Sequence, residues 1–441
     1  MKIYTKTLST LALLLSNVIV CTNALAQNTL TLEQAIELAQ QRDLWQQQAR
    51  FQSKALDARE IAAGSLPDPS INFSLMNLPM DSFSFNQEAM TQAKVGVAQM
   101  FPRGDSLNIA QRKVALERNQ LDWQQANRYN QIALLVSELW LDGVAADGAI
   151  LLIEKNKQLF EQLMEVTKAS YASALGKVRQ QDVIRAELEL LQLEERLASE
   201  QQKRANIHAR LTSLIQRNDF TFEDVKFDFS VLPALKLGER IKTKSQEELL
   251  SLLTVHPTIK ALQTQELTVA QDIELAKQNY KPQWGVNASY GYRDDADNGM
   301  NRADFFSVGV SFDLPIFTSN RQDQQLQAAQ SQAEATKTAT QLTIKSLLGQ
   351  TYAEISNLER LFERQTRYKS QLEKQSSEQA EATLTAYTHD DGNFTDVVWA
   401  RVNVLNIQLA SLNIDIQALK SVAKLNALLQ PNLGQYQGAP Q

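Results

Sequence analysis

The sequence predicts a mainly helical protein with two β-hairpins, built from one helix–hairpin–helix–helix unit that occurs twice. Three observations predict this architecture. Residues 284–292 and 306–314 alternate between apolar and small or polar side chains, two long stretches rich in glutamine and alanine contain no proline, and several landmarks recur at a constant distance. Alternation with a period of two is typical of strands, whereas very long helical patterns are typical of coiled coils or helical barrels.

Residues 1–26 have the layout of a cleavable secretory signal. Two lysines precede an apolar run from Leu11 to Val20, and an Ala24-Leu25-Ala26 cleavage pattern follows. Cys21 is the only cysteine and lies in this segment, so the mature chain is expected to contain no thiol. Lipid attachment at Cys21 is the alternative, but the bulky Val20 before it favours cleavage.

The charge balance argues against a nucleic-acid partner. The formal net charge is −6, and it becomes −8 once Lys2 and Lys6 leave with the signal segment. A nucleic-acid binder would carry a basic patch instead. No later stretch approaches the roughly 18 consecutive apolar residues of a membrane helix. An exported chain of this kind can be periplasmic, secreted or an outer-membrane protein.

The first predicted repeat covers residues 27–216. It begins with a helix from Thr31 to Ala63, continues through a hairpin at 69–101, and enters a long helix that runs to about Ser170. A glycine turn, the tip at 171–182, leads into a second long helix that ends near Gln216. Residues 217–245 are rich in phenylalanine and contain Pro233 and Gly238, which predicts a connector.

The second predicted repeat covers residues 246–430 and has the same order of elements. Its helix resumes at Gln246 and passes through His256-Pro257 to Tyr280. A hairpin at 283–314, a long helix from Gln322, a tip at 387–396 and a final helix from Asp396 to Leu429 follow. Residues 431–441 are predicted to form a flexible tail.

The two repeats are in register over most of their length. Pro69 and Pro282 are 213 residues apart, as are Pro102 and Pro315, while Gly176 and Gly392 are 216 apart. A period this long indicates two equivalent structural units rather than a solenoid of short repeats.

Apolar residues of the long helices recur at steps of four and three, the seam of a coiled coil. The final helix carries two interleaved series, and Ile184, Leu188 and Leu191 begin a similar seam after the first tip. The members of the two series are Val398, Leu405, Leu412 and Leu419, and Val402, Leu409, Ile416 and Ala423. Such stripes predict packing seams rather than binding sites.

The predicted strands have about the length of roughly 9–11 residues that a tilted strand needs to cross a bilayer. Aromatic residues at their ends suit the headgroup region. A soluble hairpin packed on a core is the alternative. If the strands do lie in lipid, four of them cannot close a barrel, since the smallest barrels have about eight. The chain would then have to oligomerise, because an open edge in lipid leaves backbone groups unpaired.

Over essentially the whole mature chain, the sequence resembles the TolC-like outer-membrane efflux channels. The resemblance rests on the two hairpins, on the strand ends Phe101-Pro102-Arg103-Gly104 and Leu314-Pro315-Ile316-Phe317, and on the paired glycine turns. It implies a homotrimer with a 12-stranded β-barrel in the outer membrane and a 12-helix α-barrel in the periplasm. The β-barrel would be the transmembrane part. The resemblance also implies a non-enzymatic, cofactor-free channel in a Gram-negative outer membrane that exports passively. The energy would come from an inner-membrane pump, of the RND type by this resemblance, joined through a periplasmic adaptor.

In that family the glycine turns form the periplasmic tips, where the adaptor docks and an aspartate ring narrows the pore. The matching docking positions are Leu175, Gly176, Lys177, Gly392 and Asn393, and the matching pore positions are Asp182, Asp396, Asp390 and Asp391. Plain turn geometry and helix capping are the alternatives for these residues. Phe394 and Trp399 stand where charged latch residues are expected, so a salt-bridge latch of the usual form is not expected here.

The first hairpin resembles the heavy-metal branch of the family, the CusC- and CzcC-like proteins. The resemblance rests on Leu66-Pro-Asp-Pro69, Asn77-Leu-Pro-Met80 and Met100-Phe-Pro-Arg-Gly104, and implies copper/silver or cobalt/zinc/cadmium cations as substrates. Thioethers suit soft ions such as Cu(I), although methionine is also a common gap filler. The candidate metal contacts are Met76, Met80, Met90 and Met100. A multidrug or type I secretion channel is the alternative within the fold.

Two alternatives come from other classes. A periplasmic adaptor would show one helical hairpin between β-rich segments, and the two copied hairpins speak against it. A soluble coiled-coil scaffold would have no membrane strands. The sequence contains no zinc-binding HExxH, no phosphate-cradling GxxxxGK and no nucleophile elbow.

Overall fold

A computed structural model describes residues 30–172, 179–216, 245–296, 298–389 and 392–429. The predicted signal segment, nearly all of the predicted connector and the predicted tail lie outside these ranges. The same holds for five predicted tip residues, Leu175, Gly176, Lys177, Asp390 and Asp391.

The first half begins with two helices, α1 (Leu32–Gln41) and α2 (Leu44–Ala63), where the sequence analysis predicted one. The break has a clear cause, since the side chain of Asp43 accepts the backbone N–H of Trp45 at 3.2 Å and caps α2. Strands β1 (Ser70–Met76) and β2 (Gln92–Phe101) follow. Helices α3 (Ser106–Ala172) and α4 (Gln180–Ile215) complete this half.

The second half also begins with two helices, α5 (Gln246–Thr254) and α6 (Pro257–Gln278), rather than the one predicted. Pro257 disfavours helical backbone in the residue before it, so the chain restarts with Pro257 as first helical residue and His256 as its cap. Strands β3 (Trp284–Tyr292) and β4 (Phe305–Phe312) follow.

The long helix of the second half is interrupted, although the sequence predicted a continuous one. It consists of α7 (Gln322–Arg367), a π-helical turn (Tyr368–Leu372) and α8 (Glu373–Thr388). Beside the turn, Asp415 of the last helix, α9 (Phe394–Leu429), accepts from Lys369 at 2.8 Å and from Gln365 at 2.7 Å. The run from 322 to 388 is as long as α3, at 67 residues, and starts 216 residues later.

The strands form one antiparallel sheet in the order β1-β2-β3-β4. β1 pairs with β2 and β3 with β4, as expected for hairpins, and β2 pairs with β3 to join the hairpins of the two halves. In that central pairing Val97 lies opposite Ala288. The mainly helical architecture with a small antiparallel sheet confirms the predicted fold class at this level.

The contacts divide the chain into two compact units, and each unit takes segments from both halves of the sequence. Unit 1 contains Met1–Ala39, Leu139–Leu232 and Leu372–Asn413; unit 2 contains Gln40–Glu138, Pro233–Gln371 and Ile414–Gln441. The compact units therefore do not coincide with the two predicted repeats.

Each unit has its own apolar core. In unit 1, α3, α4 and α9 contribute Ile153, Phe160, Ala186, Leu193, Phe394, Val398 and Leu405. In unit 2, α5, α7 and the end of α9 contribute Leu249, Leu253, Leu358, Leu361, Ile414, Ala418, Val422, Leu425 and Leu429. Burying each of the larger side chains, Val, Leu, Ile or Phe, contributes on the order of 1.5–3 kcal/mol before the entropy of ordering it is subtracted.

The seam predicted on α9 packs within the chain, but the seam predicted on α4 does not. Val398, Leu405, Ile416 and Leu419 are buried. By contrast Ile184, Leu188 and Leu191 are 57%, 52% and 61% exposed, while Ala186 and Leu193 are buried in their place. The predicted stripe on α4 is therefore an uncovered apolar face in the single chain.

In the ranges given above, none of the helices combines the length and the hydropathy that crossing a membrane requires.

Candidate functional site

The sheet has two unlike faces, because successive side chains of a strand point to opposite sides. One face is apolar and exposed, with Phe73 at 81% and Phe306 at 73% of full exposure. Its other members are Ile71, Leu75, Val95, Val97, Trp284, Val286, Tyr290, Val308, Val310 and Phe312. Such a large uncovered apolar surface marks contact with lipid or another apolar partner.

The opposite face is lined by small and polar side chains that contact one another across the strands. A β-carbon at Gly96 would collide with the Oδ1 of Asn72 and lie 3.4 Å from the Cβ of Ser289. Similarly, a β-carbon at Gly309 would lie 2.6 Å from the Oδ1 of Asn287. These glycines make room for amide side chains of the neighbouring strands, so the face is polar and closely packed.

Lys94 is the one charged residue within the four described strands. It lies opposite Ser74 of β1 and Gly291 of β3. Gln92 and Gly96 belong to the polar face. Lys94 lies two residues from Gln92 and two from Gly96, so it belongs to the same face, whereas its neighbour Val95 lies on the apolar one. Lys94 was not among the predicted functional residues, although a lysine among uncharged strand residues is visible in the sequence.

Different polar contacts fix the two ends of the sheet. Where β2 meets α3, Arg103 donates to the carbonyl of Lys281 at 2.7 Å and pairs with Asp313, whose Oδ1 accepts the backbone N–H of Gln283 at 2.7 Å. This corner ties the exit of the first hairpin to both ends of the second.

At the other end, two arginines of the loop between β3 and β4 hold the loop between β1 and β2. Arg302 donates to the carbonyls of Asn86 and Glu88, both at 3.1 Å. Arg293 donates to the carbonyl of Ala89 at 3.0 Å and lies 4.0 Å from the ring centre of Phe305. The two loops are thus linked to each other, a contact that neither hairpin alone predicts.

β1 and β4 are the edge strands of the sheet, since each pairs on one side only in the part of the chain that the structure describes. An edge strand presents unpaired backbone N–H and C=O groups. Together with the exposed apolar face, the two open edges make this surface incomplete in a single chain.

The tip of the second half places Gly392 against backbone. A β-carbon at Gly392 would lie 2.8 Å from the backbone nitrogen of Tyr387 and 3.1 Å from the carbonyl carbon of Ala386, so only glycine fits. The ring of Tyr387 packs edge-on against Phe394, with ring centres 5.9 Å apart. Asn393, the other predicted docking residue at this tip, is exposed.

The two described aspartates of the predicted constriction are each the third residue of a helix, so neither is the N-cap itself. Asp182 in α4 accepts the backbone N–H of Arg179 at 3.0 Å and completes the helix start. Asp396 in α9 is exposed. Asp182 therefore takes part in the start of α4 as its third residue rather than as its N-cap, and a pore role for either aspartate stays a prediction.

Helices α4 and α9 are joined by two hydrogen bonds with the same sequence offset. Arg185 donates to the Oγ1 of Thr395 at 2.6 Å, and Arg196 donates to the Oδ1 of Asn406 at 3.0 Å. A constant offset of 210 residues means that the helices run parallel. Phe394 is buried and Trp399 is exposed, and Arg185, which was not predicted from the sequence, is a charged side chain that joins the two helices near this tip.

Helices α3 and α4 are joined by ion pairs, which the sequence analysis also did not identify. Lys168 lies 2.9 Å from Glu187, Lys157 lies 2.9 Å from Glu194, and Arg204 lies 3.0 Å from Asp147. Beside the tip, a cavity of about 230 Å³ is lined by α3, α8 and α9 side chains, among them Leu163, Val166, Leu384, Tyr387, Val397 and Arg401.

Met100 lies apart from the other candidate metal contacts. Met100 lies against Gly285, whereas Met80 and Met90 lie in the loop at the opposite end of β2. Gln92 and Met100 are eight residues apart on one strand, a span of roughly 27 Å. Met76, Met80, Met90 and Met100 are all exposed. Over the described ranges, no group of three or more His, Cys, Asp or Glu could hold a metal ion.

His256 connects the start of α6 to the end of α9. Its Nδ1 accepts the backbone N–H of Thr258 at 3.2 Å, and its ring hydrogen-bonds the carbonyl of Ala427. The same carbonyl accepts from Asn130 at 2.7 Å. Burial lowers the pKa of His256, and the bond to Ala427 offsets part of this effect.

No protein-family model matches the chain, and no curated protein matches it in sequence. Solved structures do match over most of its length. The outer membrane protein VceC of Vibrio cholerae has a TM-score of 0.71 at 16% identity, over 90% of this chain and 95% of that chain. The Neisseria gonorrhoeae MtrE outer membrane channel, in its open state, has a TM-score of 0.68 at 17% identity, over 90% and 88%. CusC has a TM-score of 0.71 at 13% identity, over 91% of this chain and 92% of that chain. Its crystal structures concern the conformational changes that accompany folding and transmembrane channel formation. At these identities the likeness establishes a shared fold.

Proposed function

We propose that this chain is an outer-membrane channel of a tripartite efflux system. The observation that carries the proposal is the four-stranded sheet, with one exposed apolar face, one small polar face and two open edges. A sheet of this kind is suited to lipid on one side and water on the other, provided that its edges are paired. The fold shared with outer-membrane channels supports this reading.

The channel is a homotrimer in this proposal, in which three sheets close one 12-stranded barrel. The open edges of β1 and β4 would pair with those of neighbouring copies. The exposed stripe of Ile184, Leu188 and Leu191 on α4 would pack between helices of a 12-helix barrel in the periplasm. With 67 residues, α3 is on the order of 100 Å long, which suits a periplasmic tube.

Gly392 and Asn393 belong to the proposed adaptor-docking tip, together with Leu175, Gly176 and Lys177. The close approach of backbone at Gly392 and the adjoining cavity near Tyr387 support a surface that receives another helical hairpin. Asp182 and Asp396, with Asp390 and Asp391, form the proposed pore constriction. An inner-membrane pump would supply the energy, so the chain itself catalyses no reaction and needs no cofactor.

In this proposal the N-terminal segment determines how the chain itself reaches the outer membrane. Residues 1–26 direct the chain across the inner membrane and are removed, the two repeats assemble the channel, and residues 217–245 connect them. The mature protein then lies in the outer membrane of a Gram-negative bacterium and extends into the periplasm.

Membrane fractionation and heat-modifiable gel bands test the channel proposal. We expect the full chain in the outer-membrane fraction, as a trimer band that converts to a monomer on boiling. Recovery as a soluble monomer would instead indicate a periplasmic adaptor or scaffold. Purified trimer should also give single-channel conductance in planar lipid bilayers.

The first candidate substrates are heavy-metal cations, copper/silver or cobalt/zinc/cadmium, supported by the sequence of the first hairpin. Organic molecules of a multidrug or secretion channel are the second candidate, which the unpaired charge of Lys94 on the polar face favours. Deletion of the gene followed by a survival panel of metals and drugs separates the two. Sensitivity to drugs without sensitivity to any metal would exclude the metal assignment.

A further inference from the structure

Lys94 occupies an unusual position on the polar face of the sheet. The other side chains of this face are uncharged, and its neighbours across β1 and β3 are Ser74 and Gly291. Along β2 it lies between Gln92 and Gly96. No acidic residue occurs in any of the four described strands, so nothing on the face itself neutralises the ammonium group.

An unneutralised ammonium is costly to bury and needs water. The side chain of Lys94 is half-exposed, on the face opposite to the apolar one. If the apolar face meets lipid, the polar face meets the water-filled pathway. The charge then projects into the pathway rather than into the membrane.

We infer that Lys94 is a charge-specificity residue of the channel. This inference rests on the proposed function, because closing the barrel from three copies places three Lys94 ammonium groups at one level of an otherwise uncharged wall. Rings of basic side chains favour anions and disfavour cations in pores. The strand-lined part of the pathway therefore favours anionic and uncharged organic solutes over free metal cations.

The loops beyond the strands carry charges of both signs, and these are engaged with each other. Asp304 accepts the backbone N–H of Arg293 at 2.9 Å, and the Arg302 and Arg293 side chains hold loop carbonyls. The selectivity of the whole channel includes these groups and the acidic tip. The contribution of Lys94 is consequently measured as a change on substitution, not as the sign of the wild-type preference.

Reversal potentials in planar bilayers test the inference with the purified full-length channel. The measurement uses a potassium chloride gradient across the bilayer at concentrations near 0.1 M, at which a charge acts over about 10 Å. Lys94→Gln should shift the reversal potential toward the equilibrium potential of K⁺, and Lys94→Glu should shift it further. Lys94→Arg keeps the charge and should leave it unchanged. Equal potentials for all four proteins would overturn the inference.

Cysteine substitution separates charge from folding. Cys21 is the only cysteine of the sequence and leaves with the predicted signal segment, so Lys94→Cys gives a single-thiol channel. Modification after insertion with a cationic, water-soluble thiol reagent should restore the wild-type potential, and an anionic reagent should shift it in the opposite direction. Val95→Cys, on the apolar face, is the matched control and should not react with either reagent.

The outcomes distinguish the inference from the function on which it rests. A trimer without conductance would refute the channel, and the inference with it. A conducting channel whose reversal potential ignores every change at residue 94 would refute the inference alone. Reaction of the thiol at 95 but not at 94 would show that the faces are reversed, which also overturns it.

Discussion

At the scale of single residues, the structure gives different reasons for features that look alike in sequence. Gly392 and Gly349 are both glycines of the second repeat, yet only Gly392 is needed for close packing. A β-carbon at Gly392 would lie 2.8 Å from the backbone nitrogen of Tyr387, whereas one at Gly349 in α7 would meet nothing within 4 Å. The glycine turn at Gly392 was therefore informative, but glycine content alone was not.

Replacement of Gly392 by alanine should loosen the tip, while replacement of Gly349 should stabilise its helix. Alanine in an exposed helix interior gains about 0.5–1 kcal/mol over glycine. We expect faster amide hydrogen exchange in peptides covering 380–396 for Gly392→Ala and unchanged or slower exchange around 349 for Gly349→Ala. Unchanged exchange at the tip of the Gly392 variant would contradict the packing argument.

His256 should make the fold sensitive to acid. Burial lowers its pKa in the folded chain, so below about pH 6.5 the unfolded chain binds the proton more readily and stability falls as the pH falls. A protonated imidazole also donates from both nitrogens and can no longer accept from Thr258.

The measurement is the unfolding temperature in detergent at pH 7.5 and at pH 5.5. His256→Asn keeps a capping side chain without a titrating group. The variant should therefore lose less stability than the wild type between the two pH values. Equal losses would assign the acid sensitivity to other groups.

At the scale of elements, the parallel helices α4 and α9 link the two repeats beside the tip. The register of α4 against α9 could not be predicted from the sequence. Apolar seams determine which faces of two helices pack together, but not which polar side chains lie opposite each other along the helix axis. Arg185 reaches Thr395, and Arg196 reaches Asn406 eleven positions further along. The π-helical turn at Tyr368–Leu372 was equally hidden, since no proline or glycine marks it.

Arg185→Ala should widen the tip, on the proposed function, because it removes a bond between two helices next to the turn. Single-channel conductance in planar bilayers should rise relative to the wild type. Arg196→Ala removes an equivalent bond at a greater distance from the turn and serves as the matched control. Equal conductances for the two variants would mean that this contact does not restrain the tip.

At the scale of the whole molecule, the alternating strands were the most predictable part of the fold, because one face needs an apolar environment and the other does not. The long helices were predictable for the same reason of pattern. The pairing of β2 with β3 and the breaks before α2 and α6 were not predicted, although Asp43 and Pro257 carry recognisable start signals.

Two neighbouring residues of β4 should differ in their response to the same change. Val308 lies on the exposed apolar face, and Ser307 pairs with Ser289 on the polar face. Arginine in lipid at the middle of a barrel strand costs about 2–4 kcal/mol. Val308→Arg should therefore reduce the heat-modifiable trimer in outer-membrane fractions, whereas Ser307→Arg should leave its yield close to the wild type. A lower trimer yield for Ser307→Arg than for Val308→Arg would mean that the polar face meets lipid and the apolar face meets water.

The pairing of β2 with β3 also sets an order of events during synthesis. Val97 meets Ala288, so the central ladder of the sheet cannot form until nearly 200 further residues have been made. Closing so long a loop costs little more entropy than closing a short one, but contacts of high sequence separation form slowly. Until then the first hairpin exposes Ile71, Phe73 and Leu75 with no strand beside β2. On the proposed function, the apolar side of the first hairpin therefore stays without its central partner strand until the second hairpin pairs with β2.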